Sequence, residues 1–251
     1  MKRIAIAQIN VDYENFDANV ERSFNYIEEA IRNRCDLIVF PELWSSGFRL
    51  ENCPLYSERN VQLLTELQNL STKNQIDIIG TYISRIGENY FNQFVCLHPV
   101  RSSSQYEKIN LFPSLKEPSF FKKGERTLVF PSSIGQVGAS ICFDLRFHSI
   151  YEEEQKKGAE VFIIPAHWPF ERIHHWDILL QARAIEHSTF VIGVNSVGLS
   201  GKVLFGGHSA VISPDGDLIF QADDQHEGFH VVEIDLGQVQ RIREKNSFLR
   251  K

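Results

Sequence analysis

The chain has 251 residues, enough for one large domain with a substantial apolar core. A hydrophobic content of 43% with 12% aromatics excludes a disordered chain, and a net charge of −6 without a long basic run argues against a nucleic-acid partner. Four cysteines (Cys35, Cys53, Cys96, Cys142) in so long a chain do not make a disulfide framework, so a reduced, cytoplasmic setting is expected.

The first seven residues mimic a signal peptide, but Gln8, Asn10, Asp12 and Glu14 cut the apolar run short. No segment approaches the roughly 18 apolar residues that cross a bilayer, so no membrane partner is expected. Residues 3–9 read as a first strand. Asp17 is a candidate cap for a helix with Val20, Phe24, Ile27 and Ile31 on one face. Residues 36–40 form a continuous apolar run, the mark of a strand covered on both faces. That run ends in Pro41 and Glu42, which places a carboxylate where a strand leaves the sheet, the usual position of a site in an open α/β sheet.

Residues 44–48 read as a loop carrying Trp44 and Phe48. A second helix is expected around Val61, Leu64 and Leu67, then a strand at 76–83 and its hairpin partner at 90–97. Residues 106–112 place Lys108 in a strand-like run. Residues 113–123 form a long loop with Glu117 among turn residues, and long loops in compact domains are often functional. Strands are expected at 127–130 and 135–142, a helix at 148–157, a buried strand at 160–165, and a helix at 174–187 with Ile178, Ala182 and Ile185 on one face. Further strands fall at 189–195, at 209–220 around a Pro-Asp-Gly turn, and at 229–234, before a polar helix to about Asn246. This alternation predicts an α/β class with a mixed sheet.

One stretch, GASICFDLRF at 138–147, stands out. A small, apolar run ends in Cys142 and turns abruptly polar at Asp144 and Arg146, directly before a helix. A sulfur at such a turn can be served by backbone N–H groups, although a buried core thiol gives the same local pattern. Glu42, Lys108 and Glu117 stand on other strand ends or loops, and each taken alone reads as a solvated charge.

Taken together, these segments resemble the nitrilase superfamily of carbon–nitrogen hydrolases. FPE at 40–42 is similar to the family's first glutamate motif, YEKINLF at 106–112 to its lysine motif, and ICFDLRF at 141–147 to its nucleophile motif. Glu117, seven residues before Gly124, is similar to the second glutamate, and further likeness runs through His175-Trp176, residues 182–186 and residues 207–209. The sequence departs from the family at Asn110, where histidine is common, and at His148-Ser149 after the Arg-Phe pair. The resemblance implies a four-layer α-β-β-α sandwich, a single carbon–nitrogen hydrolase domain over 1–251, and pairing into a homodimer or larger even oligomer with the segment after Leu236 as an arm.

The resemblance also implies thiol-dependent amide hydrolysis. Cys142 would attack the carbonyl and Glu42 would act as general base and then acid. Lys108 and the backbone N–H of Phe143 would hold the oxyanion, and Glu117 would support Lys108 and Glu42. No cofactor is implied. A metal site from His167, His174 and His175 is disfavoured, since adjacent helical residues point about 100° apart. The stretch AHWPFER at 166–172 is most similar to the omega-amidase branch, which acts on 2-oxoglutaramate and similar short amides. His167, Trp168, Trp44 and Phe48 are expected to wall the substrate chain, with Arg172 on its far carboxylate. Other carbon–nitrogen substrates (N-carbamoyl compounds, deaminated glutathione, nitriles), or a non-catalytic binding protein on the same fold, are the alternatives.

Overall fold

The computed structural model describes residues 1–246. In chain order it runs β1 (Lys2–Gln8), α1 (Phe16–Arg32), β2 (Leu37–Val39), α2 (Cys53–Asn74), β3 (Asp77–Ile86), β4 (Asn89–Leu97) and β5 (Ser104–Glu107). A second half follows: β6 (Leu128–Ser132), β7 (Gly135–Ala139), α3 (His148–Lys156), β8 (Val161–Ala166), α4 (Ile173–His187) and β9 (Phe190–Asn195). The chain closes with β10 (Val197–Ser200), β11 (Val203–Gly206), β12 (Ala210–Ile212), β13 (Leu218–Gln221), β14 (Gly228–Ile234) and α5 (Gly237–Lys245).

The strands make two six-stranded sheets, ordered β14-β1-β2-β3-β4-β5 and β13-β12-β9-β8-β7-β6. Each is mixed: β1-β2-β3 and β7-β8-β9 are parallel, and the flanking pairs are antiparallel. The period of two along a strand sorts the core. On β1, Ile4 and Ile6 join Leu37, Val39 and Ile79 in a cluster shared with Val137, Ala139, Val161 and Ile163 of the second sheet. Ala5 and Ala7 turn the other way, into a cluster with Ile38, Ile78, Ile27 of α1 and Leu63 and Leu67 of α2. Both faces of the parallel strands are therefore covered, which accounts for their unbroken apolar runs. With α3 and α4 outside the second sheet, the result is the expected four-layer α-β-β-α sandwich.

Helix faces depart from expectation. The α1 cap is Asn15, whose Oδ1 accepts from the Ala18 N–H at 3.1 Å, and Asp17 sits in the first turn. The α1 face turned inward is Phe16, Asn19, Ser23, Ile27 and Ala30, with Val20, Phe24 and Ile31 half-buried at its flank. On α2, Val61 is exposed while Leu63 and Leu67 are buried. On α4 the expected apolar face is the outer one: Ile178 and Ile185 are 62% and 50% exposed, and Trp176, Leu180, Arg183, Ala184 and His187 face inward. The β10–β11 hairpin was not expected from the sequence, since its short strands lack a clear alternation.

Candidate active site

Four segments converge at one end of the sandwich. Just beyond β2, the Glu42 N–H donates to Ala166 O at the end of β8 (3.4 Å), so the carboxylate lies between the two sheets. The next residue, Leu43, takes a left-handed φ of 43° and donates its N–H to Thr81 Oγ1 at 2.7 Å, which fixes the turn. Lys108 follows β5 and donates its N–H to Asn92 O of β4 at 3.0 Å. Glu117 opens a short 3-10 turn (Glu117–Ser119) after Lys116, another left-handed residue with φ 59°. Cys142 opens the 3-10 turn Cys142–Arg146 and is itself left-handed at φ 45°. Non-glycine residues keep that backbone only where the surroundings over-determine it, and such strain concentrates at functional positions. The first N–H groups of this turn, Phe143 included, have no acceptor within it.

The charged groups are bonded to one another and shut away from water. Lys108 Nζ donates to Glu42 Oε1 at 2.7 Å and to Glu117 Oε1 at 2.9 Å, and all three side chains are buried. Asn92 Nδ2 donates to the same two oxygens, at 2.7 and 3.1 Å. Glu42 Oε2 accepts from the backbone N–H of His167 at 3.0 Å. Burial alone would push the Lys108 ammonium down, but Glu117, Glu42 and Cys142 together outweigh it and hold the charge firmly. Burial raises the Glu117 carboxyl, with Lys108 opposing. Burial and then the negative Glu42 drive the Cys142 thiol well above its ordinary range, against the pull of Lys108 and of the His167 N–H. The resting sulfur is therefore a thiol with a carboxylate and a fixed cation beside it.

A second polar knot ties the lysine segment to the nucleophile turn. Asp144 Oδ1 accepts from Asn110 N (2.8 Å) and Nδ2 (3.0 Å), and its Oδ2 accepts from Tyr106 Oη (2.8 Å) and Ile141 N (3.0 Å). Burial raises the Asp144 carboxyl, with Lys108 and these donors opposing. Asn110, one of the two departures from the family pattern, thus supplies two of the four bonds. Arg183 of α4 braces the same turn from outside, Nη2 to Leu145 O at 2.9 Å.

Cys142 opens onto a narrow pocket lined by Phe112, Phe143, Arg146, His167, Trp168 and Arg172. Three of the expected wall residues, His167, Trp168 and Arg172, therefore stand at the sulfur. Trp168 Nε1 donates to Arg172 O at 2.8 Å, which sets the loop carrying the guanidinium. Phe48 lies edge-on to His167 at 5.3 Å and lines the adjoining cavity with Leu115 and Phe205. Trp44 is a correction: it is fully buried in the core behind the site, 4.9 Å from the Phe40 ring and 5.7 Å from that of Tyr82, and it cannot wall the substrate. The turn at Leu43 folds it inward. His175 Nδ1 pairs with Arg146 Nη2 at 3.1 Å, and His167 is buried with its backbone N–H on Glu42.

Four residues went unremarked as site residues from the sequence: Asn92, Asp144, Arg146 and Phe112. Asn92 and Gln93 are a polar pair in the middle of β4, and Asp144 and Arg146 are the polar break after Cys142, so a signal existed for three of them. Phe112 closes the lysine motif at 106–112 but has no polar group to single it out. Its N–H donates to Glu117 Oε2, and its ring lies 5.0 Å from Phe143 and 5.9 Å from the Arg172 guanidinium.

The sequence model of the carbon–nitrogen hydrolase family matches residues 3–244. Among named relatives, a Staphylococcus aureus hydrolase in the agr operon is 32% identical, covering 96% of this chain and 94% of that protein. A 2-oxoglutaramate amidase of Bacillus subtilis is 30% identical, with 96% and 93% covered. A solved nitrilase-superfamily structure from Saccharomyces cerevisiae overlays with a TM-score of 0.88 at 24% identity, covering 97% of this chain and 93% of its own.

Proposed function

The chain belongs to the carbon–nitrogen hydrolase family, and from that premise we propose that Cys142 is the nucleophile of an amidase that cleaves a short omega-amide. The observation that carries this reading is the buried Lys108 ammonium, bonded at once to Glu42 and Glu117 beside the Cys142 sulfur. An amide carbonyl is a poor electrophile, so the thiol must lose its proton as it attacks. Glu42 takes that proton. Because Lys108 keeps its charge throughout, moving the proton from sulfur to carboxylate leaves the sum of charge in the buried pocket unchanged. The Lys108 cation and the Phe143 N–H face the oxyanion, Glu42 returns the proton to the departing ammonia, and the acyl group stays on sulfur as a thioester. Glu42 then draws a proton from water as the water oxygen attacks the thioester; the C–S bond breaks, the acid leaves, and Glu42 returns the proton to the Cys142 sulfur. Glu117 and Asn92 hold Lys108 and Glu42 in register.

The substrate reading rests on two cations. Arg172 and Arg146 line the Cys142 cavity together. Burial lowers the Arg146 guanidinium, and the neighbouring Arg172 adds to it. A terminal carboxylate relieves both, and arginine grips it bidentately. A short 2-oxo dicarboxylate monoamide, 2-oxoglutaramate in particular, supplies that carboxylate, and the 30% identical Bacillus subtilis relative carries that activity in its name. We further take residues 1–251 as one catalytic domain, working in the cytoplasm as a homodimer or larger even oligomer.

Arg172→Met tests the substrate. Loss of one charge-assisted contact should raise KM for 2-oxoglutaramate by about 10- to 100-fold. KM for a neutral amide of equal length should barely move. Equal effects on both, or no turnover of 2-oxoglutaramate by the parent enzyme, would reject this substrate and leave the amidase chemistry standing.

A further inference from the structure

Away from the active site, three side chains with metal-binding atoms meet at the seam between the start of α3 and the end of α4. His148, Glu186 and His187 each place one ligand atom within 4.8 Å of the others. His148 Nδ1 lies 3.3 Å and His187 Nε2 3.9 Å from Glu186 Oε2. Ligands on a tetrahedral ion at Zn–N and Zn–O lengths of about 2.0–2.1 Å stand about 3.4 Å apart. The His148–Glu186 spacing already fits, and the exposed His148 ring, stacked on His187 with centroids 5.1 Å apart, must turn edge-on to bring both imidazoles to one ion.

The state of His187 is the second observation. It is 3% exposed, and its Nε2 is buried without a hydrogen-bond partner. Gln155 grips the residue twice: its Nε2 donates to His187 O at 3.0 Å, and its Oε1 lies 3.3 Å from His187 Nδ1. The Gln155 oxygen can only accept, so Nδ1 carries the hydrogen and Nε2 presents a lone pair. A metal-binding histidine needs this arrangement, with an outer carbonyl fixing the tautomer and aiming the free nitrogen. Here that nitrogen lies 3.9 Å from Glu186 Oε2.

We propose that His148, Glu186 and His187 bind a first-row divalent transition ion, Zn²⁺ foremost, with Gln155 as the outer residue that fixes the His187 ring. Two imidazoles and one carboxylate suit Zn²⁺, Co²⁺ or Ni²⁺ far better than Mg²⁺ or Ca²⁺. Glu152 adds negative charge nearby, and the negative end of the α4 dipole favours a cation there. Arg183 opposes, since its Nη1 donates to Glu186 Oε2 at 2.8 Å and must yield or share that oxygen. Its other nitrogen holds Leu145 O of the nucleophile turn. The ion would therefore compete for a partner of the residue that braces Cys142.

The test is Zn²⁺ binding to tag-free protein carrying Cys142→Ala, which removes the active-site thiol as a competing ligand. Calorimetric titration with ZnCl₂ should show one ion per chain, and CoCl₂ should give the visible absorption of a tetrahedral site. MgCl₂ should give neither. His148→Ala and Glu186→Gln, both on the surface, should each weaken Zn²⁺ binding by about tenfold or more, and Gln155→Ala by about 10- to 100-fold. No uptake of Zn²⁺ at millimolar concentration, or uptake unchanged in both His148→Ala and Glu186→Gln, overturns the site.

Discussion

Glu154 on α3 is fully buried, and neither of its carboxylate oxygens has a hydrogen-bond partner. It lies over Gly138, so closely that a β-carbon there would meet Glu154 Oε2 at 2.4 Å. Burial, then the nearby Asp144, pushes its carboxyl well above the ordinary range. The native protein therefore holds Glu154 protonated at pH values where the unfolded chain has released that proton. Its stability is whole below the ordinary glutamate pKa of about 4.3 and falls as pH rises toward the raised value, by up to about 1.4 kcal/mol per pH unit. Glu154→Met should add about 1–3 kcal/mol near neutral pH, and the gain should shrink below about pH 4.5. Thermal unfolding of both proteins across pH measures it, and a gain independent of pH would refute the assignment. Lys108 presents the opposite case. Its removal strands two buried carboxylates, so Lys108→Met should lose stability along with activity. Cys142→Ala and the isosteric Glu42→Gln are cleaner probes, each expected to lower turnover by about 10³-fold or more with little change in thermal midpoint.

At the scale of elements, the site depends on how the β5 end is held. Gly124 donates its N–H to Lys108 O at 2.8 Å, and a β-carbon at Gly124 would lie 2.1 Å from Glu107 O. A backbone oxygen cannot swing aside as a side-chain tip can, so Gly124→Ala must move the segment that carries Lys108. Turnover should fall by at least tenfold. Gly87→Ala is the matched control: it sits at φ 62° in the β3–β4 turn with open space around it, so it should cost about 1 kcal/mol of stability and leave turnover intact. Comparable kcat losses in the two variants would show that the close approach at Gly124 is not special. These elements also show where sequence stops being informative. The runs at β2 and β8 were legible because both faces of a parallel strand are apolar. The helix faces were not, since α1 packs Asn19 and Ser23 inward to bond Asp12, Ser45 and its own backbone, and α4 packs Arg183 inward to hold the nucleophile turn. Trp44 was misplaced because its burial depends on the single left-handed turn at Leu43. The bonds of Asn92 depend on the register of the β3–β4 hairpin beside Lys108, which no local pattern encodes.

At the scale of the molecule, the outer face of α4 is what the four layers leave uncovered. Ile178 and Ile185 point outward in a stripe that an isolated surface helix would fill with charge. The β12–β13 turn abuts the same helix, since Gln181 Nε2 donates to Gly216 O at 2.8 Å, and exposed Leu218 follows two residues later. The C-terminal segment, expected to be the dimer arm, is committed to its own chain as far as it is described. Val239 is buried in the core, and Arg243 Nη2 donates to Ala159 O at 2.6 Å. Residues 247–251 of that arm lie outside the described residues. The α4 face is thus the better surface for the proposed homodimer. Replacing both isoleucines, Ile178→Glu with Ile185→Glu, should convert a dimer at micromolar concentration to a monomer in light scattering. The fold itself should hold, because both side chains lie outside the core, Ile185 touching only the Gly216 turn, and exposed substitutions change stability by only about 0.5 kcal/mol. A parent protein that is monomeric at that concentration removes the dimer. A double variant that stays dimeric moves the interface away from α4.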